Sequence, residues 1–205
     1  MDVKYSGSWY DENAEKTIAN ELINSGCKLI SQHADSHGAP TACEAAKVPN
    51  VSYNGSTLSD GPSTYLISSR INWAPYYEHV INNYVEAKKN GGKVKVENDF
   101  AGGLKDGSVE VDACSKNCPS GAQAKVDEVK KQLIDGKLHV FDTSKFTVNG
   151  ATPTEENMKP GAATWGDMPA SVKLLTGGYY HESEFRSAPS FDVIIDGITN
   201  LNQVF

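Results

Sequence analysis

From residue 3 to residue 69 the chain alternates short apolar runs with stretches of helical period. Val3 to Ser8 reads as a strand that empties into a Gly-Ser-Trp-Tyr-Asp turn. Asp11 or Asn13 then caps a helix whose apolar positions Ile18, Ala19, Leu22 and Ile23 recur every three to four residues, and Gly26 stops it. Cys27 to Gln32 is a mostly apolar run suited to a strand buried between layers. A polar stretch, His33 to Gly38, follows it, and Pro40 opens a second helix that runs to Ala46. Asn50 to Tyr53 is strand-like, Asn54 to Pro62 is a polar loop, and Tyr65 to Ser68 is rich in β-formers.

Strand, helix, strand, helix, strand is the order of βαβ crossovers, and it predicts an α/β fold: three layers, with a parallel sheet covered on both faces. Each strand ends in a polar loop. In a parallel sheet such loops gather outside the carboxyl edge, where ligands bind. Sequence order alone therefore points to one rim, made by residues 8–11, 33–38 and 54–60.

Beyond residue 70, Trp73 to Lys89 is the longest predicted helix, with Tyr76, Tyr77, Val80, Ile81, Tyr84 and Val85 along it and Gly91-Gly92 at its end. Val94 to Val96 and Val109 to Val111 read as strand fragments on either side of a glycine-rich loop. A last helix runs from about Ser120, with Val126, Val129, Leu133 and Ile134 on one face, to Gly136. At Phe141 the pattern changes: Thr, Asn, Gly and Pro become common, and only 171–175 and 191–195 read as regular elements. These features divide the chain into a Rossmann-like lobe over 1–140 and a polar tail over 141–205, expected to wrap onto that lobe or to have packed against a part this chain lacks.

Composition narrows the function classes. The 205 residues carry 19 basic and 26 acidic side chains, a formal charge of −7, which argues against a nucleic acid or an anionic membrane surface as partner. No run approaches the ~20 apolar residues of a spanning helix, and the first residues show no basic stretch followed by an apolar one, so no signal peptide is expected in the chain as it stands. Cys27 and Cys43 read as small buried hydrophobes. Cys114 and Cys118, three residues apart in a loop, are able to form a disulfide if the chain is exported.

Candidate chemistry collects on the predicted rim. Trp9 and Tyr10 suit stacking on a planar ligand, with the alternative that they only cap the sheet edge. Asp35 either accepts hydrogen bonds from a ligand or caps the helix after it. Asn54, Ser56 and Thr57 either bind a polyol or form an Asx turn at Asn-Gly. Lys105, in Gly102-Gly103-Leu104-Lys105-Asp106-Gly107, brings a cation to a loop that lacks the spacing of a nucleotide-phosphate motif. There is no GxSxG elbow, no HExxH and no His/Cys cluster with ligand spacing. His33 and His37 are four apart but have no evident third ligand, so neither a metal nor another cofactor is expected, and no catalytic set is assigned. A small-molecule binding domain fits better than an enzyme.

Six stretches carry a resemblance: VKYSGSWYD, ELINSGCKLI followed by SQHADS, VSYNGS, YLISSRINWAPYY, FAGGLKDGSVEV and KKQLIDGKLHVF. In this order, over residues 2 to 141, they resemble the basic membrane protein family, substrate-binding lipoproteins of ABC importers that are similar to purine nucleoside receptors. The resemblance implies a type I periplasmic-binding fold, two Rossmann-like lobes joined by a hinge, with a nucleoside or simple sugar held in the cleft and a permease as partner. It implies an extracytoplasmic, membrane-anchored setting for the full-length lipoprotein, of which this chain looks like the C-terminal part. It also implies that Trp9 faces a nucleobase and that Lys105 approaches the ligand. At Ser56 the family usually has an aspartate that grips ribose, so either the ligand differs or Asp60 substitutes. The alternative is a structural α/β domain that forms a homodimer through the face left by the missing lobe.

Overall fold

The computed structural model describes residues 1–97, 100–158, 173–181 and 193–202. It divides into two compact units, each discontinuous in sequence. The first comprises Met1–Asn72, Val109–Glu128 and Thr199–Phe205, the second Trp73–Ser108 and Val129–Ile198.

The first unit is built on a four-stranded sheet. Strands β2 (Ile30–Ser31), β3 (Asn50–Tyr53) and β4 (Tyr65–Ile71) run parallel, and β5 (Val109–Val111) joins β4 antiparallel, so the sheet is mixed. Helix α1 (Glu12–Asn24) precedes β2, and α2 (Gly38–Ala46) links β2 to β3, whereas β3 reaches β4 through turns alone. The predicted order β2, α2, β3, β4 is thus observed, with β4 three residues longer than its β-rich run and β2 shorter.

The first strand departs from the expectation. Only Asp2–Val3 (β1) is extended, and it pairs in parallel with β8 (Thr199–Asn200) instead of joining the main sheet. The reason is local. The Ser6 hydroxyl donates to the Ser8 carbonyl, the Ser8 hydroxyl to the Tyr10 carbonyl, and Gly7 takes a φ of 73°, which curls the segment into a turn. The Asn202 carboxamide accepts from the Tyr5 N–H at 2.8 Å and donates to the Tyr5 carbonyl at 2.9 Å, extending the β1–β8 ladder with a side chain.

Helices α1 and α2 pack through small residues, with Ala19, Ala39 and Ala42 forming a buried cluster. A Cβ on Gly38 would lie 2.2 Å from the Glu12 carbonyl oxygen, so only glycine allows the two N-terminal turns to approach this closely. Asp11 caps α1 by accepting from the Ala14 N–H at 2.9 Å. The buried Glu15 carboxylate accepts from the Asp11 N–H at 3.0 Å and from the Ser36 N–H at 3.2 Å, tying the start of α1 to the loop that leads into α2. At the other end of α2, Glu44 accepts from Lys47, Ser63 and Thr64, and these bonds hold its carboxyl at about 2.

Helix α3 (Ala74–Lys89) belongs to the second unit and ends before Gly91, at a φ of 63°. Helix α4 (Ala122–Ile134) is followed by Gly136 at a φ of 66°. Residues 94–96, expected to be extended, form no strand. The tail carries a buried cluster of Val148, Met158, Leu174 and Tyr180, backed by Phe141, Phe146, Leu175 and Val193. Strands β6 (Leu175–Thr176) and β7 (Tyr179–Tyr180) pair antiparallel beside it. The elements expected over 171–175 and 191–195 fall partly outside the described residues, at 171–172 and 191–192.

All four cysteines are free thiols, so no bridge joins Cys114 to Cys118. The Cys118 thiol instead donates to the Leu66 carbonyl at 3.3 Å. Burial, and then the neighbouring Cys118 thiol, push the Cys114 thiol above its ordinary value. Cys43 is buried, as expected, and burial raises its thiol to about 11. Cys27 is only half-buried, because β2 begins three residues after it. Among the described residues, no helix is long and apolar enough to cross a membrane.

Candidate functional site

The carboxyl ends of β2 and β3 bring three rings from separate loops together. His33 follows β2, Tyr53 ends β3, and Trp9 stands two residues before the cap of α1. The His33 and Tyr53 rings lie 4.2 Å apart between centroids at 35°, and Trp9 lies 6.3 Å from His33 at 57°. These are offset and tilted geometries of the kind aromatic pairs prefer. Trp9 is 71% exposed and Tyr10 62%, so both rings leave most of their surface open to solvent. The two loops are also joined through the main chain, since the Asp35 N–H donates to the Trp9 carbonyl at 2.8 Å.

Asp35 does not cap α2. Its N-cap position is His37, and the orphan N–H of Gly38 is met by the Ser36 hydroxyl at 3.1 Å. The Asp35 carboxylate is exposed and engages no side chain among the described residues, which leaves it open to hydroxyl or amine donors. Below it, Gln32 braces the loop by donating to the Ala34 carbonyl at 3.1 Å and the Ser36 carbonyl at 3.2 Å.

At the end of β3 the turn alternative prevails. Asn54 has a φ of 61°, its N–H donates to the Ser69 carbonyl at 2.6 Å, and its side-chain oxygen accepts a long bond, 3.5 Å, from the Ile71 N–H. The Ser56 hydroxyl accepts from the Leu58 N–H at 3.3 Å. Thr57 is buried against Ser52, whose hydroxyl also donates to Asn50 at 2.9 Å. Asp60 turns one oxygen onto His37 Nδ1 at 2.8 Å and onto the Ser59 hydroxyl at 3.0 Å. That carboxylate is already committed to the loop after β2.

Lys105 belongs to the second unit. It is exposed and makes no ion pair among the described residues. Its loop is shaped by Asp106, which accepts from the Gly103 N–H at 3.0 Å and the Ser108 N–H at 2.9 Å. Of the predicted set, Trp9, Tyr10 and Asp35 share a rim in the first unit, with Asn54 and Ser56 in the adjoining turn, and Lys105 belongs to the second unit. From sequence, His33 was weighed only as a metal ligand, and Tyr53 was not singled out as a rim residue. Tyr53 ends β3 and His33 lies two residues past β2, and the only signal for the pair was an aromatic ring at the carboxyl end of each of two neighbouring strands.

Three parallel strands in a mixed sheet, with α2 crossing between the first two and α1 leading into them, form an α/β lobe consistent with the periplasmic-binding type I topology. The chain belongs to the ABC transporter substrate-binding protein PnrA-like (Bmp) family, which it matches over residues 1–143. It is 27% identical over 144 residues to the "Putative ABC transporter glucose-binding protein TsgA13" of Haloferax volcanii, a match covering 70% of this chain and 35% of that protein. It is 26% identical over 141 residues to a purine-binding protein of Brucella abortus, covering 69% and 38%. A solute-binding protein of an ABC transporter system from Conexibacter woesei shares the fold at a TM-score of 0.50 and 20% identity, covering 66% of this chain and 44% of that one. The chain thus spans little more than a third of the length of the curated relatives it matches.

Proposed function

We propose that the chain is part of the substrate-binding component of an ABC importer, working outside the membrane with a permease as partner, and that it contributes its sheet rim to a cleft for a nucleoside or simple sugar. The single observation that carries this reading is the convergence of Trp9, His33 and Tyr53 beside the open carboxylate of Asp35. An exposed aromatic platform next to an acceptor suits a neutral ligand with a flat or apolar face and donor hydroxyl or amine groups. It does not suit a phosphorylated one, since the ligand would meet a carboxylate. Purine and glucose, which the names of the two curated relatives carry, both fit that description. The rim lies wholly within residues 1–140, the stretch read as the binding lobe, and residues 141–205 add the tail.

In this reading Trp9 stacks on the ligand, with Tyr10 beside it, and Asp35 accepts from its hydroxyl or amine groups. Asn54 and Ser56 offer weaker polar contacts, because their side chains already serve the turn. Lys105 contributes through its own loop. A cleft shared between lobes leaves each lobe with half the contacts, so the isolated chain binds weakly.

Calorimetric titration with adenosine, guanosine and glucose, using the wild-type chain and the Trp9→Ala and Asp35→Asn variants, tests the reading. Trp9→Ala is expected to remove about 1–3 kcal/mol of binding free energy, the usual worth of base–aromatic stacking. Affinity unchanged in both variants would place the site elsewhere.

A further inference from the structure

Helix α3 has two apolar faces and covers only one of them. Its half-buried residues, Tyr76, His79, Val80, Asn83 and Ala87, recur at helical spacing. The segment after the helix meets them: Phe100 packs at 5.3 Å from the Tyr76 ring and 5.6 Å from the His79 ring, and Glu97 lies 2.8 Å from His79 Nε2. One residue further round, Trp73, Tyr77, Ile81 and Tyr84 form a second stripe and are 55%, 57%, 59% and 51% exposed. Trp73 and Tyr77 stack on each other at 6.3 Å, and Lys88 continues the stripe 5.4 Å above the Tyr84 ring. An ordinary surface helix carries one apolar stripe roughly 100° wide and polar residues opposite. The apolar arc of α3 is about twice that.

We propose that the Trp73–Tyr77–Ile81–Tyr84 stripe is a two-fold interface that pairs α3 with the antiparallel α3 of a second copy of this chain. The argument is one of symmetry, charge and area, and it is independent of the ligand assigned to the rim. With Ile81 on the two-fold axis, Tyr77 faces Val85 of the other copy, and Lys88 and Lys89 fall beside its Trp73, a cation against an aromatic face. Glu78, the one carboxylate in the first half of the helix, falls about one turn from the other copy's Lys88, so each helix offers a single carboxylate to an ammonium of its mate. A fully buried aromatic side chain covers roughly 150–250 Å² and an aliphatic one less, so the four stripe residues together with Val85, each about half-exposed, supply on the order of 500 Å² per copy and about 1,000 Å² in the pair. That is the lower bound for a specific interface. The expected dimer is therefore weak, forming in the micromolar range.

Sedimentation equilibrium of the chain over a range of micromolar concentrations, alongside the Ile81→Glu and Trp73→Ala variants and Lys125→Glu on α4 as a control, tests this. The wild type and the control are expected to show a reversible monomer–dimer equilibrium. Ile81→Glu, with an unchanged circular dichroism melt, is expected to raise the dissociation constant by at least about tenfold, and Trp73→Ala by somewhat less. A wild-type chain that stays monomeric throughout overturns the proposal and assigns the stripe to another partner. So does a dimer that forms equally well in the folded Ile81→Glu variant.

Discussion

Helices α1 and α3 are of similar length, 13 and 16 residues, and use their apolar residues in opposite ways. Helix α1 is poor in large side chains and fully committed. It buries Ala19 and Glu15, is capped by Asp11, and lies so close to α2 that Gly38 has no room for a methyl group. Helix α3 is rich in large side chains and uncommitted. It buries no residue, has no side-chain cap, and leaves a Trp, two Tyr and an Ile half in solvent. Amphipathic strength is thus a poor measure of how much a helix stabilises its own chain. Close approach by small residues and satisfied backbone groups does more for α1 than a wider apolar arc does for α3.

Substitutions on the two helices break or sharpen this contrast. The largest effect is expected from Gly38→Ala, whose Cβ would collide with backbone rather than with a movable side chain; a loss of about 3 kcal/mol, read from the urea unfolding midpoint, is expected. A change under about 0.5 kcal/mol would show that the α1–α2 contact relaxes and is not the tight joint described here. Next comes Glu15→Ala, which strips an acceptor from the Asp11 and Ser36 N–H groups and should cost about 2 kcal/mol in the same assay, with Glu15→Gln milder because one acceptor remains.

A pH effect follows from Glu44. Hydrogen bonds from Lys47, Ser63 and Thr64 depress its folded-state value from 4.5 to about 2, so its contribution is fully present above pH 4.5 and is lost as the pH falls toward about 2. Unfolding midpoints measured across this window should drop for the wild type and drop less steeply for Glu44→Gln, the remaining slope coming from Asp142 and the other depressed carboxyls; parallel slopes would remove Glu44 from the account. The smallest effect is expected on α3 itself. Ile81→Glu should leave the unfolding midpoint of the monomer within about 0.5 kcal/mol of wild type, and a loss comparable to that of Gly38→Ala would abolish the contrast between the helices.

The order of the elements was legible because helical and extended periods differ, and Asp11, Gly26, Gly91 and Gly136 mark their ends plainly. Strand membership was less so. Val3 looks like any first strand of an α/β lobe, and only its pairing with Thr199 and Asn200, some two hundred residues away, removes it from the main sheet. At the rim, Trp9 and Asp35 were readable from their place after apolar runs. The capping alternative for Asp35 was not decidable locally, since the outcome depends on Ser36 and on Glu15 arriving from another helix. His33 was weighed only as a metal ligand beside His37, and Tyr53 only as the end of a strand, because neither ring is unusual alone; the contact between them, 4.2 Å between centroids, is not readable from sequence. The departure at Ser56 was visible at once, but not that Asp60 would be drawn to His37.

One bond at the rim carries a further consequence. The contact from Asp35 to Trp9 runs from main chain to main chain, so the residue at position 35 can be exchanged without moving the indole. On the proposed reading of the rim, scaffold and selectivity would be inherited separately: a lineage could trade the carboxylate for an amide, a hydroxyl or a cation and sample new cargoes on an unchanged platform. Repertoires of transport receptors diversify readily where such independence exists, because each trial alters what is recognised and leaves intact the frame that presents it.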